Sequence, residues 1–356
     1  MSNTSGKTVF VGLSGGVDSS VAALRLIKAG YTVVGVFIKV WHPDFLECNW
    51  EQERLDAMRV AAKLNIAFLT CDAEQAYKDD VAEYFIAEYK NGRTPNPDVM
   101  CNKYIKFGVF LKFAQEHGAD FIATGHYAQC TQTKSGFELQ RGIDTNKDQS
   151  YFLWTLTQEQ LSQILLPVGN STKDVIRKEA AQAGLITAEK KDSQGICFLG
   201  HVDIPDFLSH YIPLQTGTVH DESGAIVGTH RGAFVYTSGQ RHGFTITTSD
   251  PRRKAYYVTS RDLLTNSIVV STTKPIQELE SVVEVKNLNL ILYKPKQNET
   301  IHVQTRYRQK PTACRIRDVS EDSLTLQFVE EAELISHGQS CVLYKGMQCC
   351  GGGIIA

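Results

Sequence analysis

The amino-acid sequence predicts an α/β protein: a parallel-sheet nucleotide-binding domain followed by a β-rich central module and a C-terminal β-barrel-like module. Three observations carry this prediction. Up to Leu199, short β-branched runs alternate with helical stretches, the rhythm of a parallel sheet covered on both faces. A turn of small residues, Ser14-Gly15-Gly16-Val17-Asp18-Ser19-Ser20, lies between the first run and the first helical stretch. After Leu199 the chain changes to short β-branched runs separated by turn residues.

In chain order, residues 7–13 (KTVFVGL) read as the first strand, 19–29 as a helix, 32–39 (TVVGVFIK) as the second strand and 51–64 as the second helix. Residues 66–71 and 121–124 continue as strands, with helices over 73–90 and 103–115. Downstream, residues 233–237, 255–259, 267–271, 300–306, 323–328 and 340–343 read as strands. Domains are expected at 1–199, 200–272 and 273–356, with Thr272-Thr273-Lys274-Pro275 as the last linker.

A chain of 356 residues that is 42% hydrophobic and 21% charged buries a substantial core. It has no secretory h-region and no run of about 18 apolar residues, so a cytoplasmic protein without a membrane partner is expected. Nine cysteines without a CxxC pair or dense even spacing point to reduced thiols. A net charge of −2 argues against a polyanion partner until distribution is considered. Arg252-Arg253-Lys254, Arg306-Tyr307-Arg308-Gln309-Lys310 and Arg315-Ile316-Arg317 supply local basic character.

The strand–turn–helix at residues 12–20 is an anion cradle. Glycines let backbone amides approach a phosphate, and the helix N-terminus adds partial positive charge, with Ser19 or Ser20 available to cap it or bind the anion. The Lys and spacing of a Walker A loop are absent, which excludes P-loop γ-phosphate transfer. The sequence instead resembles the pyrophosphate loop (PP-loop) of the adenylating ATP pyrophosphatases, whose fold is adenine nucleotide alpha hydrolase-like. That resemblance implies ATP as cofactor, held by Gly12, Leu13, Ser14, Gly15, Gly16, Val17, Asp18 and Ser19. Asp18 would orient Mg²⁺ or the pyrophosphate. Adenine contacts are implied for Phe37, Ile38 and Lys39 at the end of the second strand and for Gly125 after a later one.

Further segments narrow the resemblance. Asn96-Pro97-Asp98-Val99-Met100-Cys101-Asn102, Thr124-Gly125-His126-Tyr127, Lys147-Asp148-Gln149-Ser150-Tyr151-Phe152-Leu153 and Lys190-Lys191-Asp192-Ser193-Gln194-Gly195-Ile196-Cys197-Phe198-Leu199 occur in order along the chain. Together with the loop they resemble the bacterial tRNA 2-thiouridylase family over essentially the whole length. The resemblance implies 2-thiolation of the wobble uridine, position 34, of tRNAs for Lys, Glu and Gln. It also implies a sulfur donor protein, either a cysteine desulfurase or a sulfur-relay protein, and a monomeric enzyme.

The chemistry explains the need for two thiols. Adenylation of the C2 oxygen makes C2 electrophilic with AMP as leaving group, and sulfur must arrive while water is excluded. A persulfide on one cysteine supplies the sulfur and a second cysteine resolves it, forming a disulfide. By resemblance, Cys101 is the nucleophile and Cys197 the persulfide carrier. Asp98 is placed to act as acid or base. Cys101 reads as lying just ahead of a helix N-terminus, which lowers a thiol pKa. Asp98, Cys101 and Cys197 could instead hold an iron–sulfur cluster with one open iron, and the sequence leaves both routes open. No other metal ligand set is evident.

Substrate contacts are implied for Asn96, Pro97, Asp98, His126, Lys147, Asp148, Gln149, Arg306, Tyr307 and Gln339. An Arg beside a Tyr suits phosphate pairing and base stacking. The chain departs from the family pattern after the second strand, where residues 40–49 are shorter than usual and Ile38 stands for the more usual Met. An amine-using relative such as tRNA lysidine synthetase or argininosuccinate synthetase is the alternative enzyme. A non-catalytic RNA-binding or ATP-sensing protein is the alternative of another class.

Overall fold

The computed structural model describes residues 6–46, 50–191, 203–247 and 255–356. The first domain carries strands β1 (Thr8–Gly12), β2 (Thr32–Lys39), β3 (Ala67–Asp72), β4 (Phe121–Ala123) and, after a hairpin of β5 (Ala128–Thr133) and β6 (Gly136–Arg141), β7 (Ile164–Leu165). All but the hairpin form one parallel sheet in the order β3-β2-β1-β4-β7. Side chains alternate across it. Val9, Val11, Phe37 and Ala123 pack under α1 (Val17–Lys28) and α2 (Trp50–Leu64), while Phe10, Val36, Ile38 and Ile122 face the opposite helical layer.

That second layer is less regular than the pattern suggests. The helix over residues 74–90 runs as α3 (Glu74–Tyr77), a π-helical turn (Lys78–Ala82) and α4 (Glu83–Lys90). The next runs as α5 (Pro97–Met100), a π-helical stretch (Cys101–Val109) and α6 (Phe110–Glu116). Cys101 therefore lies inside a helical run, not ahead of it. The run begins early because Pro97 pre-sets the first-turn φ and Asp98 complements the dipole. The one-turn α7 (Gln158–Leu161) precedes β7, and α8 (Lys173–Gln182) returns to pack on α1.

The short helix α9 (Ile204–Ser209) leads into the central domain, with β8 (Gly217–His220), β9 (Ile226–His230), β10 (Phe244–Ile246), β11 (Tyr257–Asp262) and β12 (Ser267–Ser271) in the order β10-β9-β8-β12-β11. The strand expected at residues 233–237 is instead a 3₁₀ turn, Ala233–Val235, after Gly232 at φ 141°. Side chains take its backbone groups: Asn266 Oδ1 accepts from Ala233 N at 2.9 Å, and Arg261 donates to the carbonyls of Phe234 and Tyr236.

In the last domain β13 (Ile276–Gln277) precedes β14 (Val282–Leu290), β15 (Thr300–Gln304), β16 (Thr312–Val319), β17 (Ser323–Phe328), β18 (Ala332–Glu333), β19 (Ser340–Lys345) and β20 (Gln348–Ile355). Six of these close an antiparallel barrel in the order β14-β17-β16-β15-β19-β20, with β14 pairing back onto β20. Val285, Ile301, Ile316, Leu324 and Leu326 fill it, and Cys314, Cys341 and Cys350 are packed among them. Burial pushes the thiol of Cys341 up to about 12 and of Cys350 to about 11, so these are packing groups. Cys71 and Cys349 fill the first domain's core likewise.

The β5–β6 hairpin joins the barrel. Gln140 and Leu139 of β6 pair with Gln348 and Cys349 of β20, and Arg141 lies 3.7 Å over the Tyr344 ring. Asn289 of β14 donates to the carbonyls of Trp154 at 2.7 Å and Leu156 at 3.0 Å. Replacing Asn289 with Ala leaves two partly buried carbonyls unsatisfied. The expected cost is about 1–3 kcal/mol, read as a lower urea midpoint, and an unchanged midpoint would show that this seam carries no stability.

Candidate active site

The sheet order reverses between β1 and β4, so the C-terminal ends of these strands open a crevice where α/β folds bind ligands. The loop after β1 occupies it. Leu13 is buried and its N–H donates to the Val36 carbonyl at 2.8 Å, which ties the loop to β2. Gly15 has φ +69°, and a Cβ there would sit 2.6 Å from the Glu53 carbonyl oxygen. A Cβ on Gly125, after β4, would sit 2.6 Å from Ser19 N and 2.8 Å from the Asp18 carbonyl carbon. Only glycine lets these segments close on each other.

Gly16, not a serine, is the N-cap of α1, and no side chain caps it. Ser20 donates its hydroxyl back to the Gly16 carbonyl at 2.7 Å and is fully buried; Ser19 does the same at 3.2 Å. The expectation that one of them caps the helix is thereby corrected. The first-turn amides of a helix have no intrahelical acceptor, so those of Val17, Asp18 and Ser19 present donors and dipole to an anion. The crevice thus fits a nucleotide polyphosphate, with Ile38 and Gly12 against Phe110 at its floor.

Asp18 is already engaged. Lys173 Nζ donates to both its oxygens at 2.8 Å, and Tyr127 donates its hydroxyl to Oδ1 at 2.7 Å. Gln149 fixes Tyr127 by exchanging two hydrogen bonds with its backbone, at 2.9 and 2.8 Å. His126 is buried with Nδ1 2.7 Å from Thr124 Oγ1, and burial, aided by the Lys106 charge, holds its pKa well below 6.5. It is a neutral imidazole at the root of the crevice.

The segment leading to Cys101 is held at the junction of all three domains. Thr94 N donates to the His337 carbonyl at 2.8 Å, and its hydroxyl lies 3.1 Å from that of Thr237. Asn96 Oδ1 accepts from Ser340 N at 2.6 Å, and Asn96 Nδ2 donates to Gln339 Oε1 at 3.3 Å. Gln339 in turn donates to the Thr94 carbonyl at 3.2 Å. Two residues 243 positions apart, both predicted substrate contacts, are therefore neighbours. Pro97 and Asp98 follow in the first turn of α5, half-buried, and Cys101 is fully buried.

Lys147, Asp148 and Tyr307 also converge, since both charges act on the Tyr307 hydroxyl, whose pKa burial raises. Tyr307 packs on Phe152 with centroids 4.4 Å apart. Asp148 spends its oxygens on Arg141 Nη1 at 3.1 Å and on the backbone N–H of Gly142 and Ser150, each at 3.0 Å. It holds the loop from within. Arg306 donates from Nη2 to the Ser238 carbonyl at 2.7 Å and to Ser336 Oγ at 3.3 Å. Cys197, the remaining predicted site residue, lies outside the described residues, as do Cys48 and Arg252-Arg253-Lys254. Among the described residues no cluster of three His, Cys, Asp or Glu is placed to hold a metal ion.

Family models match along the chain: a tRNA methyl transferase HUP domain over residues 7–201, a tRNA methyl transferase PRC-barrel domain over 205–272 and an aminomethyltransferase beta-barrel domain over 280–355. The chain is 44% identical over 363 residues to the tRNA-specific 2-thiouridylase MnmA of Shewanella frigidimarina, covering 99% of this chain and 96% of the relative. To its Photorhabdus laumondii counterpart it is 42% identical over 361 residues, covering 100% and 98%. The chain belongs to the MnmA family. A solved 4-thiouridine synthetase–RNA complex with bound ATP superposes with a TM-score of 0.35 and 20% identity over 58% of this chain and 51% of that one, too slight a likeness to add to the assignment.

Within this MnmA-family site the sequence reading missed Lys173 and Tyr127. The signal for Lys173 was present: Ser171-Thr172-Lys173 opens α8 with a cation in the first turn, where the helix dipole disfavours it. Such a lysine needs a carboxylate elsewhere, and Asp18 is that carboxylate. Removing the ammonium leaves Asp18 facing incoming phosphates without its cation. Lys173→Met should weaken ATP binding at least about tenfold, or roughly 1.4 kcal/mol, with Lys173→Arg retaining most affinity. Calorimetric titration decides, and equal affinity in wild type and Lys173→Met would contradict this role.

Proposed function

We propose that the protein is an ATP-dependent tRNA-uridine 2-sulfurtransferase that thiolates C2 of the wobble uridine. The observation that carries this reading is the coincidence in one chain of an anion-binding loop closed by Gly125 with the Asn96–Cys101 segment docked between all three domains. ATP, when bound, converts the C2 oxygen into an AMP leaving group. Backbone amides of residues 16–19 bind the phosphates, and Asp18 is the residue that would hold Mg²⁺, a hard cation suited to carboxylate.

Sulfur enters through the two cysteines. The terminal sulfur of a Cys197 persulfide attacks C2 as AMP departs; the Cys101 thiolate then attacks the Cys197 sulfur, forming a Cys101–Cys197 disulfide and releasing the 2-thiouridine. A small external thiol reduces the disulfide, and a donor protein re-forms the persulfide.

The stem of the Cys197 segment supports this route. Lys190 Nζ is 2.7 Å from Asp56 Oδ2, and Asp56 adjoins Gly15 of the loop. Arg177 donates to the carbonyls of Ala188 at 2.6 Å and Lys190 at 3.0 Å, and Thr187 donates to Ser20 Oγ at 3.1 Å. Cys197 lies seven positions beyond Lys190, and an extended chain of that length reaches at most roughly 25 Å.

Among the described residues no helix is long and apolar enough to cross a membrane. Nucleoside mass spectrometry of tRNA incubated with enzyme, ATP, Mg²⁺ and a persulfide-carrying donor protein should show oxygen replaced by sulfur on uridine. Cys101→Ser and Cys197→Ser should each lower persulfide-dependent product by at least about 1000-fold while ATP binding persists. Retained thiolation in both variants would refute the two-cysteine assignment, and a wild type that incorporates no sulfur would favour an amine-using PP-loop relative.

A further inference from the structure

Gly92 ends α4 in a left-handed turn. Its φ is +66°, its N–H donates to the Tyr89 carbonyl at 2.9 Å, and the next N–H, of Arg93, donates to the Glu88 carbonyl at 2.8 Å. Such a closure stops a helix and turns the chain sharply. The Arg93 guanidinium braces the turn with a fork onto the buried Glu88 carboxylate, Nε lying 2.6 Å from Oε2 and Nη2 on Oε1. Asn96, the N-cap of α5, comes four residues after Gly92, so the direction set there is the direction in which the chain approaches Cys101.

The central domain clasps this turn. Arg261 of β11, half-buried, donates to the Gly92 carbonyl and, from the same guanidinium, to the carbonyls of Phe234 and Tyr236. Leu263, two residues on, lies against the bare α-carbon of Gly92, where a Cβ would sit 2.5 Å from Leu263 Cδ1. Burial disfavours the guanidinium charge, so a cation kept there needs its donors matched, and the carbonyls of two domains match them. A planar fork spans the two domains in one geometry, which the single nitrogen of a lysine cannot reproduce. All three acceptors lie outside the nucleotide loop of residues 12–19.

We infer that Arg261 is a positioning residue for sulfur transfer: by holding the Gly92 carbonyl from the central domain, it sets the angle at which the chain enters α5 and hence the place of the Cys101 thiol. The inference rests on the tRNA-thiolation reading above and gives the central domain a task in it. The nucleotide loop is left untouched.

Full-length Arg261→Met and Arg261→Lys, compared with wild type in two readouts, test it. The first is alkylation by iodoacetamide without tRNA, followed by mass mapping of the Cys101 peptide. Cys101 is fully buried and should react slowly in wild type; loss of a charge-assisted bond should speed its reaction about 5- to 30-fold in Arg261→Met. The second is single-turnover sulfur transfer to tRNA, which a misplaced thiol should slow roughly 10- to 100-fold in Arg261→Met, with ATP affinity and the KM for tRNA unchanged. Arg261→Lys should fall between the other two in both readouts. Wild-type alkylation and transfer in folded Arg261→Met overturn the inference, and so does a loss of ATP affinity that keeps step with the loss of transfer, the mark of a general fold defect. Wild-type values in Arg261→Lys overturn the role of the fork, and they decide the question alone if Arg261→Met does not fold. A wild type that incorporates no sulfur overturns the thiolation reading instead, while alkylation, read without tRNA, still tests the contact.

Discussion

The docking of residues 94–96 against both β-rich domains is the constraint on which the site depends. Asn96 has a short polar side chain, and its oxygen accepts the Ser340 amide while its nitrogen donates to Gln339. Those bonds and the Thr94 contacts fix where α5 begins, and Pro97 fixes its first-turn backbone. The position of Cys101 follows one turn later. The barrel therefore helps hold the Asn96–Cys101 segment in place, and β6 and Asn289 clamp it to the domain that carries the glycine loop.

Two electrostatic devices flank this junction. At the loop, Asp18 is held by a lysine that its own helix dipole disfavours, with Tyr127 and Gln149 fixing the geometry. Between the central domain and the barrel, Arg306 is locked by a carbonyl and a hydroxyl. The loop pre-orders a charge near the place where a nucleotide phosphate would arrive, so that ordering is done before the ligand binds. A net charge of −2 is compatible with an RNA partner because the cations are local.

Much of the fold was legible because its signals are short-range. The segment TVVGVFIK could only be a buried strand, and residues 267–271 and 323–328 form strands with the bounds their patterning gave. The glycine loop was legible because small residues there let backbone amides approach an anion, whereas the close packing of Gly125, expected as an adenine contact, on Ser19 showed only in the structure. What escaped was non-local. The β5–β6 hairpin lies amid α/β sequence yet pairs with the last strand of the chain, which no local pattern encodes. Residues 233–237 carry strand propensity, but Asn266 and Arg261, distant in sequence, capture their backbone groups. The neighbourhood of Asn96 and Gln339, named separately from sequence, likewise became visible only in the assembled barrel.

The central claim is that the sulfurs at positions 101 and 197 meet beside the nucleotide loop. Peptide mapping of the intact protein after mild oxidation, without reduction, tests it most directly. The account predicts one dominant cross-linked pair joining the Cys101 and Cys197 peptides, suppressed by prior binding of tRNA. Oxidation that links either cysteine only to other thiols, or leaves both unlinked while the protein remains folded, would contradict it.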